Sequence, residues 1–268
     1  MAPKGNKRAA KEPPPSATTK IPTPQQNSNS NDDNSPPNWP ALKPLIPTSD
    51  LHLETLLDDQ IVIIRNLLTS TLCKTYVTFL SSLPLVTTPK RPKKDEAVRI
   101  NDRFQVHDPA FAERLWSSTA LKQLVSEEGV DDASAELWGG EVLGLNPNIR
   151  IYRYQPGQLF DKHYDDSVSL TIPSTNTTPT IRAKTTWTLL IYLTTCTGGE
   201  TVFYPEEPPS KTKSKSSKAS LQPEPLIVSL ETGMALLHRH GERCLLHEGR
   251  EVKGGEKWVI RSDLVVRR

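Results

Sequence analysis

His163, Tyr164 and Asp165 form the short pattern with the most chemistry in this chain. Residues i and i+2 of an extended segment point to the same side, so the imidazole and the carboxylate can share one metal ion. Two imidazoles and one carboxylate on one face of an ion leave its remaining positions open to reactants. The second imidazole must come from elsewhere, and His238, His240 and His247 all fall in strand-like sequence that a folded sheet can bring alongside. With six histidines in 268 residues, an isolated His-x-Asp also arises as a plain surface pair, so it needs support from the rest of the chain.

The elements that must position these groups are readable from periodicity and punctuation. Ile61-Val62-Ile63-Ile64 is a β-branched run with the length of a buried strand. Thr69 or Ser70 can cap a helix running to about Ser82, with Leu72, Tyr76, Phe79 and Leu80 on one face and Pro84 as its stop. Asp108-Pro109 opens a second helix whose stripe is Phe111, Leu115, Trp116 and Leu121, continuing to Leu124. After Gly144 short strands follow at 149–154, 186–193, 201–204, 226–230, 234–237 and 258–266, separated by Pro, Gly and Ser clusters. This pattern predicts an α+β domain with its helices packed on one sheet. Two stretches break it. Residues 206–224 read as a flexible Lys- and Ser-rich insertion, and Thr171 to Thr180 as a long loop placed to touch a substrate.

Composition bounds the rest. Eleven of the 24 prolines fall in residues 1–50, and residues 1–48 read as a disordered Pro-, Ser-, Asn- and Lys-rich tail in front of one domain at 49–268. A net charge of +2 supplies no whole-molecule field for nucleic acid or an anionic membrane. No apolar run reaches the ~18–20 residues of a membrane helix, and the first twenty residues lack a secretory pattern. Three cysteines without CxxC spacing argue against a disulfide framework and a cysteine zinc site, so a cytoplasmic or nuclear location is expected. The basic clusters at 4–11 and 90–94 are either import signals or solvated surface. Nothing in the sequence specifies the oligomeric state.

The C-terminal segment carries a resemblance. The order His-x-Asp, about eighty residues, His247, then Lys257 ten positions on in a strand resembles the Fe(II)/2-oxoglutarate dioxygenases, specifically the prolyl 4-hydroxylase-like branch. Arg153-Tyr154-Gln155-Pro156-Gly157-Gln158, Leu190-Ile191-Tyr192-Leu193 and Gly198-Gly199-Glu200-Thr201-Val202-Phe203 resemble that branch as well, so the similarity covers about residues 145–268. It implies a double-stranded β-helix (jelly-roll) core in which His163, Asp165 and His247 bind Fe(II). It also implies that Lys257 pairs with the distal carboxylate of 2-oxoglutarate, and that Tyr154 and Tyr192 line the cosubstrate pocket. His238 and His240 rank below His247, which is the histidine with Lys257 ten positions on in a strand. Arg261, four residues after Lys257 and on the same side of the strand, is a rival anchor, whereas Trp187 and Trp258 read as packing.

The same resemblance implies O2 as cosubstrate, ascorbate as a supporting reductant, and hydroxylation of a C–H bond with release of succinate and CO2. The leading substrate is a protein side chain, proline included. A small molecule or nucleobase is the alternative, and so is a catalytically weak 2-oxoglutarate sensor that recruits partners through the tail. Asp165 stands where a halogenase of this superfamily has a small residue. The insertion at 206–224 and the absence of a secretory pattern depart from the collagen-modifying members.

Overall fold

The computed structural model describes residues 35–88, 97–126, 136–172, 180–205 and 223–268. The basic clusters at 4–11 and 90–94, residues 206–222 of the insertion and 173–179 of the long loop lie outside the described residues.

A ten-stranded sheet runs in the order Glu54–Leu57, Ile61–Ile64, Ala235–Arg239, Ile181–Tyr192, Lys257–Arg267, Asn148–Tyr154, Asp102–His107 and Val86–Thr87, with Val142–Leu145 and Ser169–Ile172 attached beside it. A five-stranded sheet orders Leu226–Val228, Thr201–Tyr204, Leu246–Gly249, Leu159–His163 and Arg99–Ile100. All pairings are antiparallel, and the chain crosses between the sheets, which is the jelly-roll arrangement.

Strand alternation sorts the large sheet into two faces. Val62, Ile64, Ile149, Ile151, Trp187, Leu189, Ile191, Ala235, Leu237, Trp258 and Ile260 join one core with the helices, while Ile61, Ile63, Tyr152, Tyr154, Tyr192, Leu236 and Val259 join a second core with Phe203 and Val228 of the small sheet. Two helices, Ser70–Leu80 and Pro109–Ser118, start where the sequence predicts. Thr69 accepts a hydrogen bond from Leu72 N at 3.2 Å, and Asp108 accepts one from Phe111 N at 2.9 Å. Both helices bury their apolar stripes against the large sheet. Among the described residues no helix is long and apolar enough to cross a membrane.

The expected tail boundary needs correction. Trp39 is only 6% exposed, stacks on Phe111 with ring centroids 4.0 Å apart, and donates through its indole nitrogen to Asp108 at 2.7 Å. Tyr76 donates from its hydroxyl to the carbonyl of Pro40 at 2.9 Å, so the segment before residue 49 caps the helical core. An average over a polar, Pro-rich stretch conceals one tryptophan that buries a large apolar area. Trp39→Ala should therefore lower unfolding stability by ~3–5 kcal/mol in urea denaturation. Removal of residues 1–48 should lower the melting temperature as well, and an unchanged melting curve for both variants would contradict this packing.

Candidate metal centre

His163 ends the strand Leu159–His163, and antiparallel pairing sets His247 of Leu246–Gly249 directly opposite it. Asp165, two residues on, completes the cluster. Its Oδ1 lies 3.8 Å from His163 Nε2, and its Oδ2 lies 3.7 Å from His247 Nε2. These three residues can each offer a ligand atom within 4.8 Å of the others. The other ring nitrogen of each histidine is tethered to backbone: His163 Nδ1 to the Asp161 carbonyl at 2.8 Å and His247 Nδ1 to the Leu245 carbonyl at 2.9 Å. Donation there protonates Nδ1 and leaves both Nε2 lone pairs facing Asp165, as metal-binding histidines require. Burial, and for His163 the neighbouring His247, pushes both pKa values down, that of His163 to about 3, so both imidazoles are neutral at physiological pH. Phe160 stacks on His163 at 3.5 Å between ring centroids and fixes the ring plane.

Asp165 is held from behind by Arg261, whose Nη2 lies 2.9 Å from Oδ2 and whose Nη1 donates to Oδ1 at 3.2 Å. Thr188 donates its hydroxyl to Oδ2 at 2.9 Å. Burial alone would raise the carboxyl pKa, but Arg261 overcomes it and keeps the group well below the usual carboxylate range. The rival role considered for Arg261 is thereby replaced: alternation does put it on the same side as Lys257, yet its partner is a candidate metal ligand. Arg261→Ala leaves a buried carboxylate uncompensated, and we expect a loss of ~3–5 kcal/mol by urea denaturation of the metal-free protein.

Lys257 is 5% exposed, and its ammonium donates to the Gly199 carbonyl at 2.7 Å. Gly198 and Gly199 present that carbonyl from a turn with φ of 74° and 73°, and a Cβ on Gly198 would collide with the Glu251 carbonyl oxygen, which requires glycine there. Among the described residues no carboxylate lies within ion-pair distance of Lys257, and burial pushes its pKa down to about 8. Tyr154 and Tyr192 flank the ammonium, each ring centroid 5.5 Å away. Tyr154 lines the same cavity as Lys257 and the three candidate ligands. Tyr192 differs: its hydroxyl is bound to Thr201 Oγ1 at 2.8 Å, so it supports the wall through Thr201, which lines the cavity.

The other histidines separate cleanly. His240 has both nitrogens engaged, Nδ1 with Thr188 at 3.0 Å and Nε2 with Thr185 at 2.8 Å, and serves packing. His238 instead enters the site from the large sheet, with Nε2 3.8 Å from Asp165 Oδ2 and no hydrogen-bond partner. It also groups with Cys244 and His247, but Cys244 lies on the Nδ1 side of His247 at 3.9 Å, away from the Nε2 that faces Asp165. Neutral His163 and His247 with the ionised Asp165 carboxylate, and an orphaned imidazole nitrogen beside them, fit a divalent metal.

The geometry is that of a jelly roll carrying a two-histidine, one-carboxylate centre between its sheets. Residues 149–262 match the family model of the 2OG-Fe(II) oxygenase superfamily. No curated protein matches the chain significantly in sequence. Among solved structures, a prolyl hydroxylase in complex with a hypoxia inducible factor oxygen degradation domain peptide fragment from Trichoplax adhaerens is 17% identical, with a TM-score of 0.51 over 77% of this chain and 84% of that one. The viral collagen prolyl hydroxylase of Paramecium Bursaria Chlorella virus-1 is also 17% identical, with a TM-score of 0.46 over 77% of this chain and 96% of that one. At these identities the former similarity shows the fold.

Proposed function

We propose that this domain is an Fe(II)- and 2-oxoglutarate-dependent dioxygenase that hydroxylates a C–H bond of a protein side chain, with proline as the leading candidate. The observation that carries the reading is Lys257, a buried ammonium with no carboxylate partner among the described residues, lining the same cavity as His163, Asp165 and His247. A buried cation without a counter-ion is costly, and a carboxylate-bearing cosubstrate supplies the missing charge. His163, Asp165 and His247 would hold the iron, and the backbone tethers on the two histidines and the Arg261 fork on Asp165 keep the three donors oriented. Fe(II) with 2-oxoglutarate supplies the activation of O2 and the C–H oxidation, with succinate and CO2 released and ascorbate sustaining the reduced metal. Lys257 orients the cosubstrate by its distal carboxylate, while Leu190, Val259 and Phe160 keep that part of the cavity apolar and poor in water. The Arg153–Gln158 stretch, with its similarity to prolyl 4-hydroxylases, favours proline over a nucleobase.

The test is incubation of the full chain with Fe(II), ascorbate and 2-oxoglutarate, measuring succinate, together with a peptide panel examined by mass spectrometry. Succinate formation accelerated by a peptide that becomes one oxygen atom heavier is the expected result. The absence of both succinate release and 2-oxoglutarate binding in the metal-loaded protein would overturn the reading.

A further inference from the structure

Next to the metal centre lies a second cavity of about 350 Å³ that shares Tyr152, Phe160, Asp165 and Arg261 with the first but does not include Lys257. Its size is that of a small-ligand or single side-chain site. Four arginines line it: Arg99, Arg103, Arg150 and Arg261. Two are neutralised, Arg150 by Asp263 at 2.8 Å and Arg261 by Asp165 at 2.9 Å. Arg99 and Arg103 have no carboxylate within ion-pair distance among the described residues. Arg99 is pinned between the rings of Tyr152 and Phe160, 4.3 and 4.5 Å from their centroids, and its Nε donates to Asn101 at 3.2 Å. Arg103 donates to Gln105 at 2.5 Å. Buried guanidinium nitrogens of this wall remain without any partner: Arg99 Nη2, Arg150 Nε and Arg261 Nε. Asp166, the one further acid on the wall, is exposed.

Two partly desolvated guanidinium groups without a carboxylate, that of Arg99 clamped between two rings, are arranged for an anion, and their fork geometry matches a carboxylate. The local field is positive enough that the buried Tyr152 phenol, which burial would shift upward, is held below its ordinary pKa by Arg261, Arg99 and Arg150. Arg103 is shifted downward by burial, with Arg99 and Arg150 adding to the effect.

We propose that this cavity is the substrate side of the site and selects a substrate bearing a carboxylate, which Arg99 and Arg103 bind while the C–H bond to be oxidised lies toward Asp165. The inference rests on the dioxygenase reading and adds a substrate class to it. Two anionic handles then serve separate molecules, Lys257 the cosubstrate and the Arg99–Arg103 pair the substrate.

The test compares two fluorescein-labelled pentapeptides that differ only in having Glu or Gln on either side of a central proline. Their binding to the full chain loaded with Mn(II) and 2-oxoglutarate is followed by fluorescence anisotropy under anaerobic conditions at low salt. The Glu peptide should bind at least ~10-fold more tightly, the scale on which like and unlike charge are discriminated at such sites. The preference should vanish in the Arg99→Gln/Arg103→Gln double variant, survive in part in Arg103→Lys, and persist in Arg114→Gln, which lies outside the cavity. Competition by free N-acetylglutamate assigns the site to small acids, and its failure to compete assigns it to acidic peptides. Equal affinity for the two peptides, or a preference retained in a folded double variant, overturns the inference. Calorimetry of Mn(II) and 2-oxoglutarate on the same samples separates the two readings: lost metal and cosubstrate binding with an intact charge preference sinks the dioxygenase reading alone.

Discussion

Replacing His163, Asp165 and His247 together by alanine is expected to abolish Mn(II) binding to the purified protein. Each single replacement should weaken it by more than the ~10–100-fold that loss of a hydrogen-bond partner behind a ligand costs. The reason is geometric: the donors converge within 4.8 Å, and the two histidines are tethered so that the same nitrogen faces inward. His238→Ala is the discriminating companion, because its Nε2 also faces Asp165 with no other partner. It should leave affinity within the smaller range. A triple variant that binds as tightly as wild type in calorimetry sinks the assignment, and a His238→Ala loss as large as that of His163→Ala would make it a fourth ligand.

Lys257→Ala should raise the KM for 2-oxoglutarate by about 100-fold or more, since truncating one partner of a buried ion pair costs ~3–5 kcal/mol, while Mn(II) affinity should stay nearly intact. The pH dependence follows from the depressed ammonium. Lys257 ionises near 8 in the folded chain against 10.5 in a free side chain. Its burial therefore costs stability in full below about pH 8, and that cost is relieved as pH rises toward 10.5. Only the ammonium pairs with a carboxylate, so affinity for 2-oxoglutarate falls about tenfold per pH unit above that point. Lys257→Arg should retain part of the activity and lose this pH dependence, because a guanidinium stays charged. Lys257→Met, which removes the buried charge and keeps the volume, should melt no lower than wild type at neutral pH. Succinate formation against 2-oxoglutarate concentration across pH checks all three. A KM unmoved in Lys257→Ala would reassign the anchor and the registration of the last strand.

Local signals in the chain determined its elements and the seed of its chemistry. Thr69 and Asp108 cap helices with their own side chains, Ile61–Ile64 is a strand by composition, and the i, i+2 spacing of His163 and Asp165 and the i, i+4 spacing of Lys257 and Arg261 each place both groups on one face. Such relations involve neighbours along one backbone, so periodicity and spacing suffice. Tertiary structure decided everything that depends on which strands meet. Antiparallel register, not spacing, sets His247 opposite His163, and sheet packing brings His238 in from the other side. Arg261 finds Asp165 across the site, Trp39 finds Phe111 from a segment whose composition reads as unfolded, and Arg99 and Arg103 meet Arg150 and Arg261 around one cavity. Each of these contacts joins residues tens of positions apart. The free energy behind them lies in shared burial and charge compensation between elements, which no window along a single strand or helix contains.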